Sequence, residues 1–181
     1  MHSLRTARLG LEPQRASHAA EMFRVLRDPA IYRYENQPPP SELWLRDRYS
    51  HLESRRSPDG RERWLNWVMR LEPHGLIGYV QATIHPGRRA AIGYEMASAW
   101  WGQGLGSEAV QVVLGELAAT YGVDEVYAIH KAANTRSARL LERLGFGPAE
   151  PAVVAAAAIG LDERLVVRWL DAARARADVR H

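Results

Sequence analysis

The sequence predicts a single α+β domain with a mixed, mostly antiparallel sheet of about seven strands flanked by about four helices. The chain has 181 residues, of which 46% are hydrophobic and 25% are charged, and these values are typical of one globular domain. Two helical periodicities, at 107–121 and 135–144, enclose a short apolar strand at 125–130, which is the pattern of a parallel crossover. Antiparallel hairpins are predicted by three apolar segments that short turn sequences join: residues 63–71, 76–84 and 90–96.

The N-terminal part of the chain predicts one strand and two helices. Residues 4–11 alternate weakly between apolar and polar side chains, as a strand does. A helical stretch follows over residues 12–28, and after a proline-rich break Ser41 is a suitable N-cap for a second helix. The C-terminal part predicts a pair of strands at 152–159 and 164–170. The alanines of residues 152–159 favour a helix there as the alternative.

Composition excludes several classes of function. The chain has no cysteine, which excludes disulfides, thiolate metal sites and acyl-cysteine intermediates. Its seven histidines are dispersed without the spacing of metal ligands, so we expect no metal. The longest fully apolar run, residues 152–159, is far shorter than the ~20 residues of a membrane span. No apolar segment follows the N-terminal arginines as in a signal peptide, so we expect a cytoplasmic protein without a membrane partner.

The basic residues do not form a concentrated surface in the sequence. Only Lys131 is a lysine among the 24 lysine and arginine residues, and the net charge is +3. The arginines are scattered among 21 acidic residues, whereas a nucleic-acid-binding surface concentrates its basic residues. We therefore expect no nucleic-acid partner.

The most informative segment is residues 100–109, which read Trp-Trp-Gly-Gln-Gly-Leu-Gly-Ser-Glu-Ala. Its three alternate glycines leave the backbone accessible between the strand at 90–96 and the helix at 107–121. The first N–H groups of a helix have no internal partner, and the helix dipole adds partial positive charge there. The segment therefore predicts a binding site for a phosphate, and for a pyrophosphate in particular.

Two other phosphate-binding loops do not match this segment. A P-loop ends in Gly-Lys-Ser/Thr, and no lysine lies nearby. A dinucleotide-binding loop has a third glycine where Ser107 stands and an acidic residue after the next strand, whereas Asp124 and Glu125 precede that strand. A glycine-rich turn that binds nothing is the remaining alternative, and the destabilising effect of three glycines disfavours it.

The segment resembles the acetyl-CoA pyrophosphate loop of the GCN5-related N-acetyltransferases (GNAT). Residues 134–146 read Asn-Thr-Arg-Ser-Ala-Arg-Leu-Leu-Glu-Arg-Leu-Gly-Phe and are similar to the second CoA-side helix of that family. Within the family, Trp-Gly-Gln-Gly followed by Ser-Glu-Ala is most similar to the RimJ/RimL-like branch, which acetylates the N-termini of ribosomal proteins.

The resemblance implies a GNAT-like domain over residues 1–181, with an acetyl-CoA-binding core at 76–146 and acceptor-side helices at 12–54. It implies that the strands on either side of the first CoA helix splay apart, and that the pantetheine arm lies along residues 90–96. Acetyl-CoA is the implied cofactor and acetyl donor. The implied cofactor-binding residues are Met96, Ala97, Trp101, Gly102, Gln103, Gly104, Leu105, Gly106, Ser107, Asn134 and Ser137.

Two positions depart from the family pattern. Trp101 stands where many members have Gln or Arg, so one contact with a phosphate is expected to be lost. Leu141 stands where many members have a tyrosine that acts as the general acid. That role must fall to another residue.

The resemblance and the residues together predict three catalytic residues. Strand alternation places Glu95 beside small residues on one face of the strand, and a carboxylate with open space around it can act as the general base; a charge on a solvated sheet face is the alternative. Asn134 would bond the pantetheine arm, and Ser137 would protonate the departing thiolate. Both could instead only cap a helix. A backbone N–H near Met96 would stabilise the oxyanion.

The acceptor is an amine, and the sequence says little more about it. Tyr32, Tyr34 and Glu35 are the candidate substrate-binding residues, with packing and surface roles as the alternative. A ribosomal-protein N-terminus, polyamines, amino acids and amine antibiotics are all compatible, because a shared CoA loop does not fix the acceptor. We expect a monomer or a homodimer. A sensor or partner module that binds acyl-CoA without catalysis is the alternative function.

Overall fold

A computed structural model of the protein describes residues 1–34 and 36–171. Within them one sheet contains eight strands: β1 (Leu4–Arg5), β2 (Gly10–Pro13), β3 (Arg63–Leu71), β4 (Gly75–His85), β5 (Arg89–Met96), β6 (Glu125–Lys131), β7 (Gly147–Pro148) and β8 (Glu163–Trp169). The same residues contain five α-helices: α1 (Ala19–Val25), α2 (Glu42–Leu52), α3 (Leu105–Ala119), α4 (Thr135–Arg143) and α5 (Pro151–Ala157). Three short 3-10 turns lie at Ala16–His18, Pro29–Arg33 and Ser98–Trp100.

The sheet is mixed, and its strand order is β1-β2-β3-β4-β5-β6-β8-β7. All neighbouring strands are antiparallel except β5 and β6, which α3 connects as a parallel crossover. The parallel pairing covers only Arg89–Glu125, Ala90–Val126 and Ala91–Tyr127. Beyond Ala91 the two strands diverge, so the predicted mixed sheet and its splayed crossover are confirmed.

Three sequence-based element boundaries are wrong, each for a physical reason. Residues 152–159 are not a strand: residues 152–157 belong to helix α5, because the alanine-rich segment begins at Pro151, which suits the first position of a helix. The strand predicted at 4–11 is a hairpin in which β1 pairs with β2. The helix predicted from residue 12 begins only at Ala19, because β2 continues to Pro13 along β3.

The sheet separates two groups of buried side chains. Alternate residues of β3 point to opposite faces, so Trp67 joins one group and Val68 joins the other. The larger group lies under α3 and α4 and includes Met69, Ile92, Leu105, Leu114 and Leu141. The smaller group lies under α1 and α2 and includes Met22, Leu26, Leu45, Tyr49 and Leu76.

Gly78 sets the distance between β4 and the end of β5. It pairs with Met96 across the antiparallel ladder. A Cβ atom at Gly78 would collide with the Glu95 carbonyl oxygen and would lie 2.8 Å from Met96 Cα and 2.6 Å from Met69 Cε. Because Gly78 has no side chain, the backbone of β5 can pack against β4 as far as Met96.

Replacing Gly78 with alanine should destabilise the protein by about 1–3 kcal/mol, because the added methyl group overpacks a backbone contact. Gly115→Ala is the matched control. Gly115 lies inside α3 with nothing within 4 Å of an added Cβ, and alanine is favoured over glycine in a helix by roughly 0.5–1 kcal/mol. Urea unfolding of both variants measures the difference, and equal stabilities would contradict the close approach of β4 and β5.

Candidate active site

The glycine-rich segment forms a loop of free backbone amides. Gly102 and Gly104 have φ angles of 76° and 79°, a region that favours glycine, and Gly104 is the N-cap of α3. The first amide of this region to bond within the helix is that of Glu108, which donates to the Gly104 carbonyl at 3.0 Å. No residue in the described part of the chain accepts a hydrogen bond from the N–H groups of residues 102–107.

Two further features of this loop would suit an anion. The Ser107 hydroxyl oxygen is buried and has no hydrogen-bond partner among the described residues. Buried polar atoms without a partner are rare in proteins, and a bound phosphate oxygen would supply the partner. The helix begins at Leu105, two residues earlier than predicted, and this places three of the free amides in its first turn.

Gly106 allows helix α4 to pack close to the start of α3, because a Cβ atom at Gly106 would lie 3.0 Å from Leu140 Cδ1.

A clasp from the N-terminal hairpin holds this loop in place. The Arg8 guanidinium donates to the Gln103 carbonyl at 2.9 Å and to Glu108 Oε2 at 2.7 Å from Nε. The Arg8 backbone N–H and the Thr6 hydroxyl both donate to Glu108 Oε1. Burial opposes ionisation of Glu108, but the hydrogen bonds from Thr6 and Arg8 outweigh it and hold the pKa of Glu108 below its ordinary value. Sequence reasoning missed this clasp, because its partners lie about a hundred positions apart.

The divergence of β5 and β6 opens a cleft of about 400 Å³ beside the loop. The Ala97 N–H donates to the Ile77 carbonyl of β4 at 2.9 Å. Neighbouring residues of a strand direct their backbone groups to opposite edges, so the N–H and C=O of Met96 face the cleft. The Trp101 indole donates to the Met96 carbonyl at 2.7 Å, and this hydrogen bond fixes the Met96 backbone.

Arg136 lies beside Trp101, one of the two residues that depart from the pattern of the resembling family. The Arg136 guanidinium lies over the Trp101 ring, 3.6 Å from its centroid, which is a cation–π contact. Both residues line the cleft. The positive charge that Trp101 does not provide is thus present next to the loop, at a position that sequence reasoning did not include.

Asn134, Ser137 and Tyr94 form a hydrogen-bonded group that lines the cleft. Asn134 caps α4 by accepting from the Ser137 N–H at 3.1 Å, which is the capping arrangement that its position suggested. The Ser137 hydroxyl is not part of that cap and lies 2.8 Å from the Tyr94 hydroxyl. Leu141, in contrast, is only 2% exposed and belongs to the core.

Glu95 lies on the opposite face of β5 from Tyr94, among polar side chains. Its Oε1 accepts from Asn36 Nδ2 at 2.8 Å. Burial raises the pKa of Tyr79 well above its ordinary value, and so do the charge of Glu95 and a hydrogen bond with it. Burial and the Glu95 charge also raise the pKa values of Tyr32 and Tyr49. Three protonated hydroxyl groups therefore lie near this carboxylate.

Glu95 is shared between the cleft and a second cavity of about 380 Å³, which we call the acceptor chamber. Leu45 and Tyr49 of α2, Asn66 of β3 and Gln81 of β4 line the chamber. Tyr32 also lines it, and its hydroxyl donates to the Leu26 carbonyl at 2.7 Å. Tyr34 lines the cleft instead, and Glu35 lies outside the described residues.

The described residues contain no group of three or more His, Cys, Asp or Glu side chains that could hold a metal ion. None of the helices in the same residues is long and apolar enough to cross a membrane.

Comparison with known proteins identifies the family of this site. The family model described as acetyltransferase (GNAT) domain matches residues 8–147. Among solved structures, the chain is similar to RimL, a ribosomal L7/L12 α-N-protein acetyltransferase in complex with CoA, at 18% identity and a TM-score of 0.74. That match covers 92% of this chain and 97% of the other. No curated protein sequence matches the chain significantly.

Two further solved structures share the fold. The ribosomal-protein-S5-alanine acetyltransferase of Vibrio fischeri is 17% identical with a TM-score of 0.74, and the match covers 93% of this chain and 97% of that one. RimJ of Mycobacterium smegmatis, in complex with CoA-disulfide, is 21% identical with a TM-score of 0.72, and the match covers 94% and 88%. These likenesses show that the fold is common to all three enzymes and this chain.

The clasp predicts a defined pH dependence of stability. Because the folded-state pKa of Glu108 is below its ordinary value of 4.5, its contribution is present above about pH 4.5 and is lost as the pH falls through the folded-state pKa. In Glu108→Gln this contribution is absent at every pH. The difference in free energy of unfolding between wild type and variant should therefore shrink below pH 4.5, as urea unfolding at several pH values can measure.

Glu142→Gln is the matched control for this measurement. Glu142 is exposed on α4 and forms no ion pair among the described residues, so its substitution should change stability little at any pH. A constant difference between wild type and Glu108→Gln from pH 3 to pH 6 would contradict the clasp.

Proposed function

Because the chain belongs to the GNAT acetyltransferase domain family, we propose that it transfers the acetyl group of acetyl-CoA to a primary amine by direct attack in a ternary complex. Family membership confirms three expectations from the sequence, namely the GNAT fold, an N-acetyltransferase and acetyl-CoA as donor. The observation that carries the proposal is the set of free N–H groups at residues 102–107, beside the cleft that Trp101 and Gly106 line.

The residues of the loop fit the pyrophosphate of CoA. Six consecutive amides without partners and the N-terminus of α3 together provide the donors and the partial positive charge that a phosphate requires. Ser107 offers a buried hydroxyl, and Arg136 offers a full positive charge held by Trp101. In this proposal residues 76–146 hold the donor, while residues 12–54 form the acceptor side.

The cleft supplies the groups that acetyl transfer needs. When bound, acetyl-CoA provides a thioester carbonyl that an amine can attack. Glu95 accepts the proton that the acceptor ammonium must lose, directly or through a water molecule. The Met96 N–H faces the cleft and donates to the oxygen on which negative charge develops. Ala97 does not serve as this donor, because its N–H is bonded to Ile77.

Ser137 and Tyr94 form the proton route to the leaving group. The Ser137 hydroxyl protonates the departing thiolate, and the Tyr94 hydroxyl at 2.8 Å replaces that proton. This pair takes the role of the tyrosine that many family members have at the position of Leu141. Asn134 fixes the first turn of α4, which carries Ser137, and it lines the cleft, where it would hold the pantetheine arm.

The structural neighbours favour a protein N-terminus as the acceptor. RimL is a ribosomal L7/L12 α-N-protein acetyltransferase, and the V. fischeri enzyme acts on an alanine of ribosomal protein S5, by their names. The likeness to these enzymes is one of fold, and a protein N-terminus is proposed as the acceptor of the present chain by analogy with them. Binding of acyl-CoA without turnover is the alternative, and the catalytic variant below discriminates between the two.

Acetyl-CoA should raise the melting temperature of the wild-type protein, whereas NAD and ATP at the same concentration should not. Gly104→Asp should abolish that rise. A like charge about 4 Å from a phosphate costs roughly 4 kcal/mol at an effective dielectric constant of 20, so affinity should fall by more than about 100-fold. Thermal shift and calorimetric titration with CoA measure both effects.

Gly87→Asp is the matched control for Gly104→Asp. Gly87 also has a positive φ, but it lies at the turn between β4 and β5. An added Cβ would have no atom within 4 Å at Gly87, whereas at Gly104 it would lie 3.4 Å from Arg8 Nη2. Its substitution should leave CoA binding unchanged. Normal CoA binding by Gly104→Asp would show that the loop is not the pyrophosphate site.

Glu95→Gln should lower kcat for amine acetylation by about 100- to 10,000-fold, because a positioned general base contributes that much. The affinity for acetyl-CoA should not change, since Glu95 lies on the opposite face of β5 from the Tyr94–Ser137 pair. Release of CoA in the presence of an amine acceptor measures kcat. Unchanged turnover would remove Glu95 from the mechanism, and binding of acetyl-CoA by wild type without turnover of any amine would support the alternative.

A further inference from the structure

Three buried polar side chains line the acceptor chamber without completing a hydrogen bond. Gln14, Asn66 and Tyr49 are 3%, 5% and 3% exposed. Gln14 Oε1, Asn66 Nδ2 and the Tyr49 hydroxyl have no hydrogen-bond partner among the described residues. Burial raises the pKa of Tyr49, and the neighbouring Gln14 side chain lowers that pKa by a smaller amount.

These side chains are held in place while their polar ends stay free. The Gln14 backbone N–H donates to the Asn66 carbonyl at 2.8 Å, and the Gln14 carbonyl accepts from Arg55. Each buried polar group without a partner lowers the stability of the fold, because the loss of its contact with water is not compensated. Three of them around one cavity are a cost that folding alone does not explain, and a bound molecule with complementary groups would offset it.

The sheet places these groups on the same face as Glu95. Asn66 of β3 pairs with Gln81 of β4, which pairs with Gly93 of β5. Two residues further along β4 and β5, Tyr79 pairs with Glu95. Alternate residues share a face, so the carboxamides of Asn66 and Gln81 and the Glu95 carboxylate all face the chamber. The absence of a side chain at Gly93 leaves room for Gln81, whose Nε2 would lie 3.2 Å from a Cβ there.

The charges around the chamber restrict the class of acceptor. Among the described residues that line it, Glu95 is the only carboxylate and Arg48 is the only cation. The Arg48 guanidinium lies 5.7 Å from the ring centroid of Trp44, which is 45% exposed. A polyamine would need further carboxylates and would leave the carboxamides without partners, because its methylene groups neither donate nor accept. A free amino acid would have Arg48 for its carboxylate, but it carries no peptide group that could pair with Gln14, Asn66 and Tyr49.

We infer that Gln14, Asn66 and Tyr49 form a subsite that recognises the uncharged amide groups of a peptide whose N-terminal amine lies at Glu95. A peptide group has one donor and one acceptor, a carboxamide side chain can provide either, and a hydroxyl can provide both. The inference rests on the proposed function, and it makes these three residues determinants of acceptor specificity. Exposed Trp44 then lies where the following residues of the peptide leave the chamber.

The test compares acceptors and variants in one assay of CoA release. The acceptors are hexapeptides with free N-terminal alanine or serine, spermidine and L-alanine, and the variants are Gln14→Leu and Asn66→Leu. Wild type should acetylate peptides in preference to spermidine and L-alanine. Each variant should lower kcat/KM for peptides at least tenfold, mainly through KM, with unchanged affinity for CoA. Gln111→Leu, on the exposed face of α3, is the control and should change neither value.

Stability distinguishes a binding role from a structural one. Leucine removes a buried polar group that has no partner, so without an acceptor both chamber variants should melt at the same temperature as wild type or higher. Lower melting temperatures, or unchanged kcat/KM for peptides, would overturn the inference. Acetylation of spermidine or L-alanine in preference to peptides would also overturn it while leaving acetyl transfer established. If none of these acceptors supports the release of CoA, both the inference and the proposed function are contradicted.

Discussion

The divergence of β5 and β6 after Ala91 is the constraint on which the site depends. A parallel pair that continued to the ends of both strands would bury the backbone of Met96 in the sheet. Because the pair separates, the cleft opens at the point where α3 begins, and the backbone edge of β5 at Met96 faces it. The Glu95 side chain, on the face of β5 opposite to Tyr94, lines the acceptor chamber. The proposed donor and acceptor sides therefore meet at Glu95, which lines both cavities.

The proposed site departs from the family pattern at two positions, and neighbouring side chains offer the groups that are missing there. Trp101 does not provide a side chain that binds phosphate, but its indole fixes the Met96 carbonyl and its face holds Arg136. Leu141 does not provide a hydroxyl, and the hydroxyl that reaches the cleft belongs instead to Ser137, with Tyr94 behind it. We propose that Arg136 contributes the phosphate contact and that Ser137 contributes the proton for the thiolate, both from the same cleft.

Local patterns predicted the parts of the structure that depend on neighbours in sequence. The glycines of residues 102–106 and the periodicity behind them predicted a loop of free amides at a helix N-terminus, although the helix begins at Leu105. The Asn134 cap followed from residue type and spacing. The helix α5 was missed as the first choice, because a short apolar run is compatible with a strand or a helix and its alanines were the deciding signal.

Contacts between distant parts of the chain could not be predicted in this way. Arg8 meets Glu108, and Gln14 meets Asn66, only because the sheet order brings β2 beside β3 and the N-terminal hairpin beside α3. Nothing in the sequence near Gln14 or Asn66 indicates a buried carboxamide without a partner. Glu95 was predicted as a candidate base from its small neighbours, whereas the hydroxyl groups around it come from distant elements: Tyr32, Tyr49 and Tyr79.

A titration of the isotopically labelled protein with CoA, followed by backbone amide NMR, tests the central claim most directly. If the free amides bind the pyrophosphate, the resonances of residues 102–107 should shift together and saturate, and that of Met96 should shift with them as the pantetheine arm fills the cleft. Resonances of the β4–β5 turn around Gly87 should not move. Saturable binding of CoA that leaves residues 102–107 unshifted would contradict the placement of the donor site.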